Sequence, residues 1–133
     1  MPLRVAIDHD KRFVHVEGEG DVVLAEVLDY FNSLVTQNAM PYPKLVDATR
    51  ATPRFSDDDV MQMGAWMSAY AVMEPRGPVA IVSVEEATTA MMARYINVGA
   101  GRRPIALFKT IDEARRWLEA QAGPKKPASD SSA

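Results

Sequence analysis

Cysteine and long apolar runs are both absent from this 133-residue chain. Without cysteine there are no disulfides, no thiolate chemistry and no Cys-based zinc sites, and such a chain suits the reducing cytosol. No run of about 18 apolar residues exists, so we expect no membrane span. The apolar stretch at the N-terminus is short and charges follow at once, which argues against a signal peptide. These absences predict a cytoplasmic protein.

The chain also lacks an excess of positive charge, and it has only two histidines. The formal net charge is −3, and no basic stripe runs along the sequence, whereas a domain that holds nucleic acid is normally basic. The histidines are His9 and His15, and the chain contains no Gly-x-Ser-x-Gly motif that would supply the serine of a Ser-His-Asp arrangement. No second cluster completes a metal site with Asp8-His9-Asp10. We therefore expect no enzymatic activity, no metal, no cofactor and no nucleic-acid partner.

What the chain does have is the composition of a soluble globular domain. Hydrophobic residues make up 47% and charged residues 25%, both close to average. Its length suffices for one domain with a real core, to which we assign residues 1–122. The remaining residues, GPKKPASDSSA, are small, polar and proline-containing. Residues 123–133 are therefore predicted to form a disordered polar tail.

Short β-rich runs and helical segments alternate along the sequence. LRVAID and RFVHVEG flank DHDK and predict a hairpin, and GEGD is expected to end the second strand. Asp21 is expected to cap a helix that reaches Asn38. KLVDA, VAIVS and IALFK predict buried strands, each followed by a helix. The order β-β-α-β-α-β-α-β-α predicts an α/β fold with a mostly parallel five-stranded sheet and an antiparallel edge strand.

Three of the predicted helices begin in the same way. Ser56, Ser83 and Thr110 stand at helix starts, and an acid follows three residues later in each case: Asp59, Glu86 and Glu113. A hydroxyl at this position accepts a hydrogen bond from a free amide of the first turn, and the acid reaches back to the cap. All three caps follow strands, so we expect them on one edge of the sheet.

That edge is where ligands of open α/β sheets usually bind. Arg50 and Arg54, in the predicted loop after the third strand, should lie near it, and Asp47 ends that strand. We call the set Asp47, Arg50, Arg54, Ser56, Ser83 and Thr110 the rim, and treat it as a candidate partner surface. The acids of the first turns offset the helix dipoles that an anion would use. Structural capping is therefore the favoured interpretation of the three hydroxyls.

Methionine is concentrated on two predicted helices. Met63, Trp66 and Met67 lie on the helix that begins near Ser56, and Met91 lies on the next. Methionine fills irregular gaps, so core packing is the simpler interpretation. The alternative is an adaptable apolar groove between the two helices, open to a small apolar or lipid-like ligand.

Two stretches resemble the SpoIIAA-like, or STAS-like, family of anti-sigma-factor antagonists and their relatives. In the first, Asp47 ends a strand and Ser56 follows nine residues later at a helix start, as in the phosphorylatable antagonists. In the second, LFKTIDEARRWL is similar to the final strand and helix of the SpoIIAA-like branch, through Phe108, Glu113, Ala114, Trp117 and Leu118. The resemblance covers about Leu3 to Ala122 and implies a SpoIIAA-like fold in a bacterial regulatory protein.

The resemblance also implies that Ser56 is a candidate phospho-acceptor. The neighbours of Ser56 depart from the antagonists, which carry an aspartate before the serine and a small residue and glycine after it. Here these positions hold Phe55, Asp57 and Asp58, and the carboxylates would repel a phosphate. Capping alone therefore explains Ser56.

The leading interpretation is a non-catalytic regulatory module that contacts a protein partner through the rim. The alternative is a binder of a small apolar or lipid-like ligand in the groove near Met63, Trp66, Met67 and Met91. A homodimer is compatible with either interpretation.

Overall fold

The structure is a computed structural model that describes residues 3–71, 77–86, 88–90, 93–94 and 105–122. Its strands are β1 (Leu3–Asp8), β2 (Phe13–Val22), β3 (Lys44–Pro53), β4 (Val79–Val82) and β5 (Ile105–Phe108). Its helices are α1 (Leu24–Thr36), α2 (Asp57–Ala71), α3 with helical residues at 86, 88–90 and 93–94, and α4 (Ile111–Ala122). The predicted tail, residues 123–133, lies outside the described residues.

The five strands form one mixed sheet in the order β1-β2-β3-β4-β5. β1 pairs with β2 in antiparallel fashion, and the other neighbours are parallel. This confirms the predicted α/β fold with an antiparallel edge strand. The core contacts place α1 and α2 on one face of the sheet, as right-handed crossovers between successive parallel strands require.

Strand alternation divides the core between the two faces. On β3, Val46 packs with the cluster that holds Phe31 of α1 and Met63 of α2. Its neighbour Leu45 packs with Ala114 and Leu118 of α4 on the opposite face. All four residues of β4 are buried, as expected for a strand covered on both sides. We call these sides the α1–α2 face and the α4 face.

The second and third strands are longer than the sequence suggested. GEGD does not end β2; the strand continues to Val22 with a register shift between Glu17 and Glu19. A bulge of this kind lets a glycine-containing segment stay paired, and Gly20 takes a φ of 78°. β3 extends with β2 as far as Pro53, and Arg50 pairs with Glu19. Arg50 therefore lies inside β3, and its predicted place in a loop was wrong.

The start of α1 also differs from the prediction. The N-cap is Val23, whose backbone N–H donates to the Glu26 carboxylate at 3.0 Å. Asp21 does not cap the helix, because it lies in the extended part of β2 and accepts from Arg54 at 3.2 Å. The helix ends at Thr36, and Asn38 takes a left-handed φ of 57°. The prediction that α1 reaches Asn38 was therefore wrong by two residues.

Candidate functional site

Ser56 caps α2 by a reciprocal pair of hydrogen bonds. The Asp59 backbone N–H donates to Ser56 Oγ at 3.0 Å, and the Ser56 N–H donates to the Asp59 carboxylate at 3.0 Å. Asp57 forms an ion pair with Arg94 of α3, and Asp58 accepts from Gln62 at 3.1 Å. The acidic first turn of α2 is thus occupied by capping and by a link to α3. No contact in the described part of the chain joins Ser56 to Asp47.

We expect Ser56→Ala to lower the free energy of unfolding by about 1 kcal/mol, because one amide of the first turn loses its acceptor. Ser56→Asp is the matched control, since aspartate also accepts at the N-cap and should keep most of the stability. Urea denaturation of the three proteins measures both effects. Equal stability of wild type and Ser56→Ala would contradict the capping role.

The other two hydroxyls behave differently from each other. Thr110 Oγ1 accepts from the Glu113 N–H at 3.2 Å, as the sequence predicts for a cap. Ser83 is 2% exposed, and its hydroxyl hydrogen-bonds to Thr89 Oγ1 at 2.9 Å instead of capping α3. The helical hydrogen bonds of α3 begin two residues later, where the Thr89 N–H donates to the Glu85 carbonyl at 2.9 Å. The prediction that Ser83 begins a capping box was therefore wrong.

Arginines of the rim lie beside acids. Arg54 pairs with Asp21 at 3.2 Å, and Arg50 lies 3.9 Å from Glu19. Both guanidinium side chains are about three-fifths exposed, so water weakens these pairs. An anion at the rim would have to compete with the partner carboxylates. The geometry thus offers little to an anion, and the partner-surface role of the rim stays a prediction.

Asp47 is held by its own strand. Its carboxylate accepts from the Thr49 N–H at 3.0 Å and from the Thr49 hydroxyl at 2.7 Å. Alternation along β3 places its side chain on the same face as Leu45, the α4 face. Ser56 begins α2, which belongs to the opposite face. The nine-residue spacing therefore does not bring the two side chains into one site.

A cavity of about 110 Å³ lies between the sheet and the helices α1 and α2. Its floor consists of residues from all five strands: Leu3, Val16, Gly18, Val22, Val46, Ala48, Ala51, Val79, Ile81 and Ile105. Its other walls come from α1, from the residue before the cap of α2 and from α2 itself: Val27, Tyr30, Phe31, Phe55 and Met63.

The chemistry of the cavity is almost purely apolar. Asp47 borders it, but its carboxylate belongs to the α4 face, and its main-chain oxygen is the atom near Gly18. The other charged residues of β2 and β3 lie outside the lining. For comparison, an engineered cavity of roughly 150 Å³ lined by similar side chains stays dry and binds benzene or xenon. This space suits a small apolar group.

The predicted Met-rich groove overlaps the cavity at one described residue. Met63 lines the cavity and is 3% exposed. Trp66 instead packs against Phe31, with ring centroids 5.0 Å apart, and is absent from the lining. The side chains of Met67 and Met91 lie outside the described residues. The cavity therefore lies between the sheet and the helices α1 and α2, and not in a groove between α2 and α3.

Sequence reasoning missed the sheet side of this cavity. The sequence signal that could have revealed it is a set of small residues at strand positions whose side chains point toward α1 and α2. Gly18 on β2 and Ala48 and Ala51 on β3 occupy such positions, and a Cβ at Gly18 would lie 2.9 Å from Ala51 Cβ. Two strands thus come close at their backbones but leave volume above them.

The described residues include neither a membrane-spanning helix nor a cluster of metal ligands. None of the helices in the described ranges is long and apolar enough to cross a membrane. Over the same ranges, no three acidic or histidine side chains converge where they could hold a metal ion. The sequence-based expectation of no metal stays a prediction.

Comparison with known proteins found likeness among solved structures. Neither a scan of protein-family models nor a search of curated proteins found a match. A solved structure from Shewanella loihica PV-4, described as an uncharacterized protein of the DUF3478 family with a SpoIIAA-like fold, superposes with a TM-score of 0.57. The likeness covers 87% of this chain and 91% of that chain, at 14% sequence identity. At this identity the match speaks for architecture alone, and it agrees with the observed order of strands and helices: the chain has a SpoIIAA-like fold.

Proposed function

We propose that the protein is a non-catalytic binding module, and that it takes a small apolar ligand, or the apolar end of a lipid-like one, into the cavity beneath α1 and α2. The observation that carries this proposal is the cavity itself, a space walled by aliphatic and aromatic side chains in a domain of modest size. Close packing is the rule in protein interiors, so unfilled apolar volume has a cost in lost contacts. A ligand that fills it recovers those contacts.

The position of the cavity supports uptake from solution. Its wall includes Phe55, which immediately precedes the cap of α2, and the adjoining Pro53 at the end of β3. Both side chains are only half-buried, so the boundary of the cavity reaches the protein surface there. The ligand would be recognised by shape and apolar surface, since no carboxylate or basic side chain of the described lining points inward. A cytoplasmic, regulatory role belongs to this same proposal.

Benzene tests the cavity in solution. Saturating benzene should stabilise the wild-type protein by about 1–3 kcal/mol through binding to the folded state. Ala48→Leu should abolish most of that effect, because Ala48 is buried on the cavity floor and a leucine there would occupy the space. The matched control is Ala65→Leu on the exposed side of α2, which should respond as the wild type does.

The melting temperatures of the three proteins are measured with and without benzene. Native mass spectrometry of freshly purified wild-type protein then shows whether a cellular ligand copurifies with it. The proposal is contradicted if benzene fails to stabilise the wild type, or if Ala48→Leu responds as fully as Ala65→Leu. A folded Ala48→Leu protein, checked by circular dichroism, makes the comparison valid.

A second candidate function is regulation through contact with a protein partner at the rim. The observation in its favour is exposed apolar surface near this edge: Val23, after β2, is 44% exposed, and Val84, after β4, is 60% exposed. Arg50 and Arg54 of the rim are exposed as well, and interfaces commonly combine apolar residues with arginine. A ligand in the cavity would contact α2, so its binding would be transmitted along α2 to a partner at the end of the helix that Ser56 caps.

Affinity capture from native lysate tests this second function. The variant Val23→Ser/Val84→Ser should lose any reproducible partner, whereas Met61→Ser, which alters an equally exposed apolar residue of α2, should keep it. Capture of no partner by the wild type, or equal capture by both variants, would count against the rim as an interface.

A further inference from the structure

The outer edge of β1 is an unprotected strand edge. β1 pairs with β2 along its whole length without a bulge, and it contains no proline. Its other side has no neighbouring strand in the described sheet, so a row of backbone donors and acceptors is open there. Strand edges of this type are templates for pairing with another strand unless the protein blocks them. The charges of β1 decide what can pair with it.

Those charges are complementary to themselves. Arg4 and Asp8 are both exposed, carry opposite charges and stand two positions on either side of Ala6. An antiparallel pairing of two copies about a two-fold axis through Ala6 sets Arg4 of one copy opposite Asp8 of the other, twice. Opposite charges directly across a ladder stabilise the pairing, whereas like charges oppose it.

The same register matches the apolar positions. Val5 is 36% exposed on the α1–α2 face, and pairing about Ala6 sets it opposite Ile7 of the second copy. The neighbouring symmetric register, about Val5, would set Arg4 opposite Ala6, so neither Arg4 nor Asp8 would face an opposite charge of the second copy. Small Ala6 at the axis also lets the two backbones approach. Only the register about Ala6 satisfies charge and apolar matching together.

We propose that β1 is the interface of a two-fold homodimer, in which two copies join their sheets antiparallel about Ala6 into one ten-stranded sheet. The cavity plays no part in this inference, so the dimer stands or falls independently of ligand binding. Within its own copy Arg4 lies 3.3 Å from Glu17 and 3.7 Å from Glu19, and it would bridge these acids to Asp8 of the second copy. Asp8 accepts from the Lys11 N–H through one carboxylate oxygen, and its other oxygen would accept from Arg4 of the second copy.

A single engineered cysteine tests the register directly, because the chain has none of its own. In the proposed dimer the two Ala6 Cα atoms lie about 4.5–5.5 Å apart, within the range of a disulfide. Ala6→Cys should therefore form a covalent dimer quickly under mild oxidation. Arg4→Cys is the control on the same exposed strand: its two copies would lie roughly 13 Å apart, too far to bridge.

Charge exchange supplies a second, non-covalent readout by analytical ultracentrifugation. The wild type should show a concentration-dependent dimer, Arg4→Glu should shift the equilibrium at least tenfold toward monomer, and Arg4→Glu/Asp8→Arg should restore the dimer. Circular dichroism verifies that each variant is folded. If Arg4→Glu does not fold, the cross-linking of Ala6→Cys still tests the proposed interface. The proposal is overturned if Ala6→Cys cross-links no faster than Arg4→Cys, or if the wild type sediments as a monomer at every concentration.

Discussion

Replacing Gly77 by alanine is expected to lower the free energy of unfolding by about 3–5 kcal/mol, which is large for the addition of one methyl group. A Cβ at this position would lie 2.3 Å from the Pro41 carbonyl oxygen and 2.4 Å from that of Tyr42. Both obstacles are backbone atoms, so no side-chain rotation relieves the clash. The Gly77 N–H also donates to the Met40 carbonyl at 2.8 Å, which fixes the two segments together.

Gly20→Ala is the control for the effect of losing a glycine. No atom lies within 4 Å of a Cβ at Gly20, but its φ of 78° is unfavourable for alanine. This variant should therefore cost only about 1–2 kcal/mol. Urea denaturation of both variants gives the comparison. A Gly77→Ala protein as stable as Gly20→Ala would show that the segment at Gly77 can move away from residues 41 and 42.

The second large effect is expected for Lys44→Met, with a loss of about 2–4 kcal/mol. Lys44 is 1% exposed, and its Nζ donates to the Met40 carbonyl at 2.6 Å and to the Tyr42 carbonyl at 2.7 Å. A buried carbonyl left without a donor is costly, and this variant would remove the lysine donor from two of them. Methionine keeps the length of the side chain but removes these bonds.

Lys109→Met provides the matched control, because Lys109 is exposed in the turn before α4. Surface substitutions of this kind usually change stability by less than about 0.5 kcal/mol. Chemical denaturation of the two variants separates the loss of buried hydrogen bonds from the general effect of removing a lysine. If both variants unfold at the same denaturant concentration, Lys44 does not secure the segment after α1.

Much of the fold can be predicted from the local pattern of apolar and polar residues. VAIVS is apolar throughout and becomes the doubly covered β4, and the alternation in RFVHVEG places Val14 and Val16 in the core. Proline at 41 and 43 follows the end of α1 as helix-breaking residues should. These features depend on periods of two or 3.6 residues, which any single segment reveals by itself.

Strand lengths and caps were less predictable, because they depend on contacts across the chain. Gly18 and Gly20 look like strand breakers in isolation, yet pairing with β3 keeps them extended through a bulge. Ser83 fits a capping box in sequence, but burial beside Thr89 uses its hydroxyl elsewhere. In both cases a long-range partner overrides the local preference.

The cavity was the least predictable feature. Its volume depends on how far α2 stands from the sheet, and no periodicity encodes that distance. Met63 was named as part of the candidate groove, whereas Ile81 was predicted only as part of the buried strand VAIVS. The cluster of small residues at Gly18, Ala48 and Ala51 is informative only once the strands are known to be neighbours.

Crystals of the wild-type protein pressurised with xenon test the proposed apolar site most directly. Anomalous diffraction should show a xenon atom between Met63 of α2 and Ile81 of β4, inside the cavity, because xenon occupies dry apolar cavities of this kind. The same measurement on Ala48→Leu should show that peak lost. A wild-type map without xenon in the cavity, or with side chains filling the space, would contradict the proposal that this domain holds an apolar ligand beneath α1 and α2.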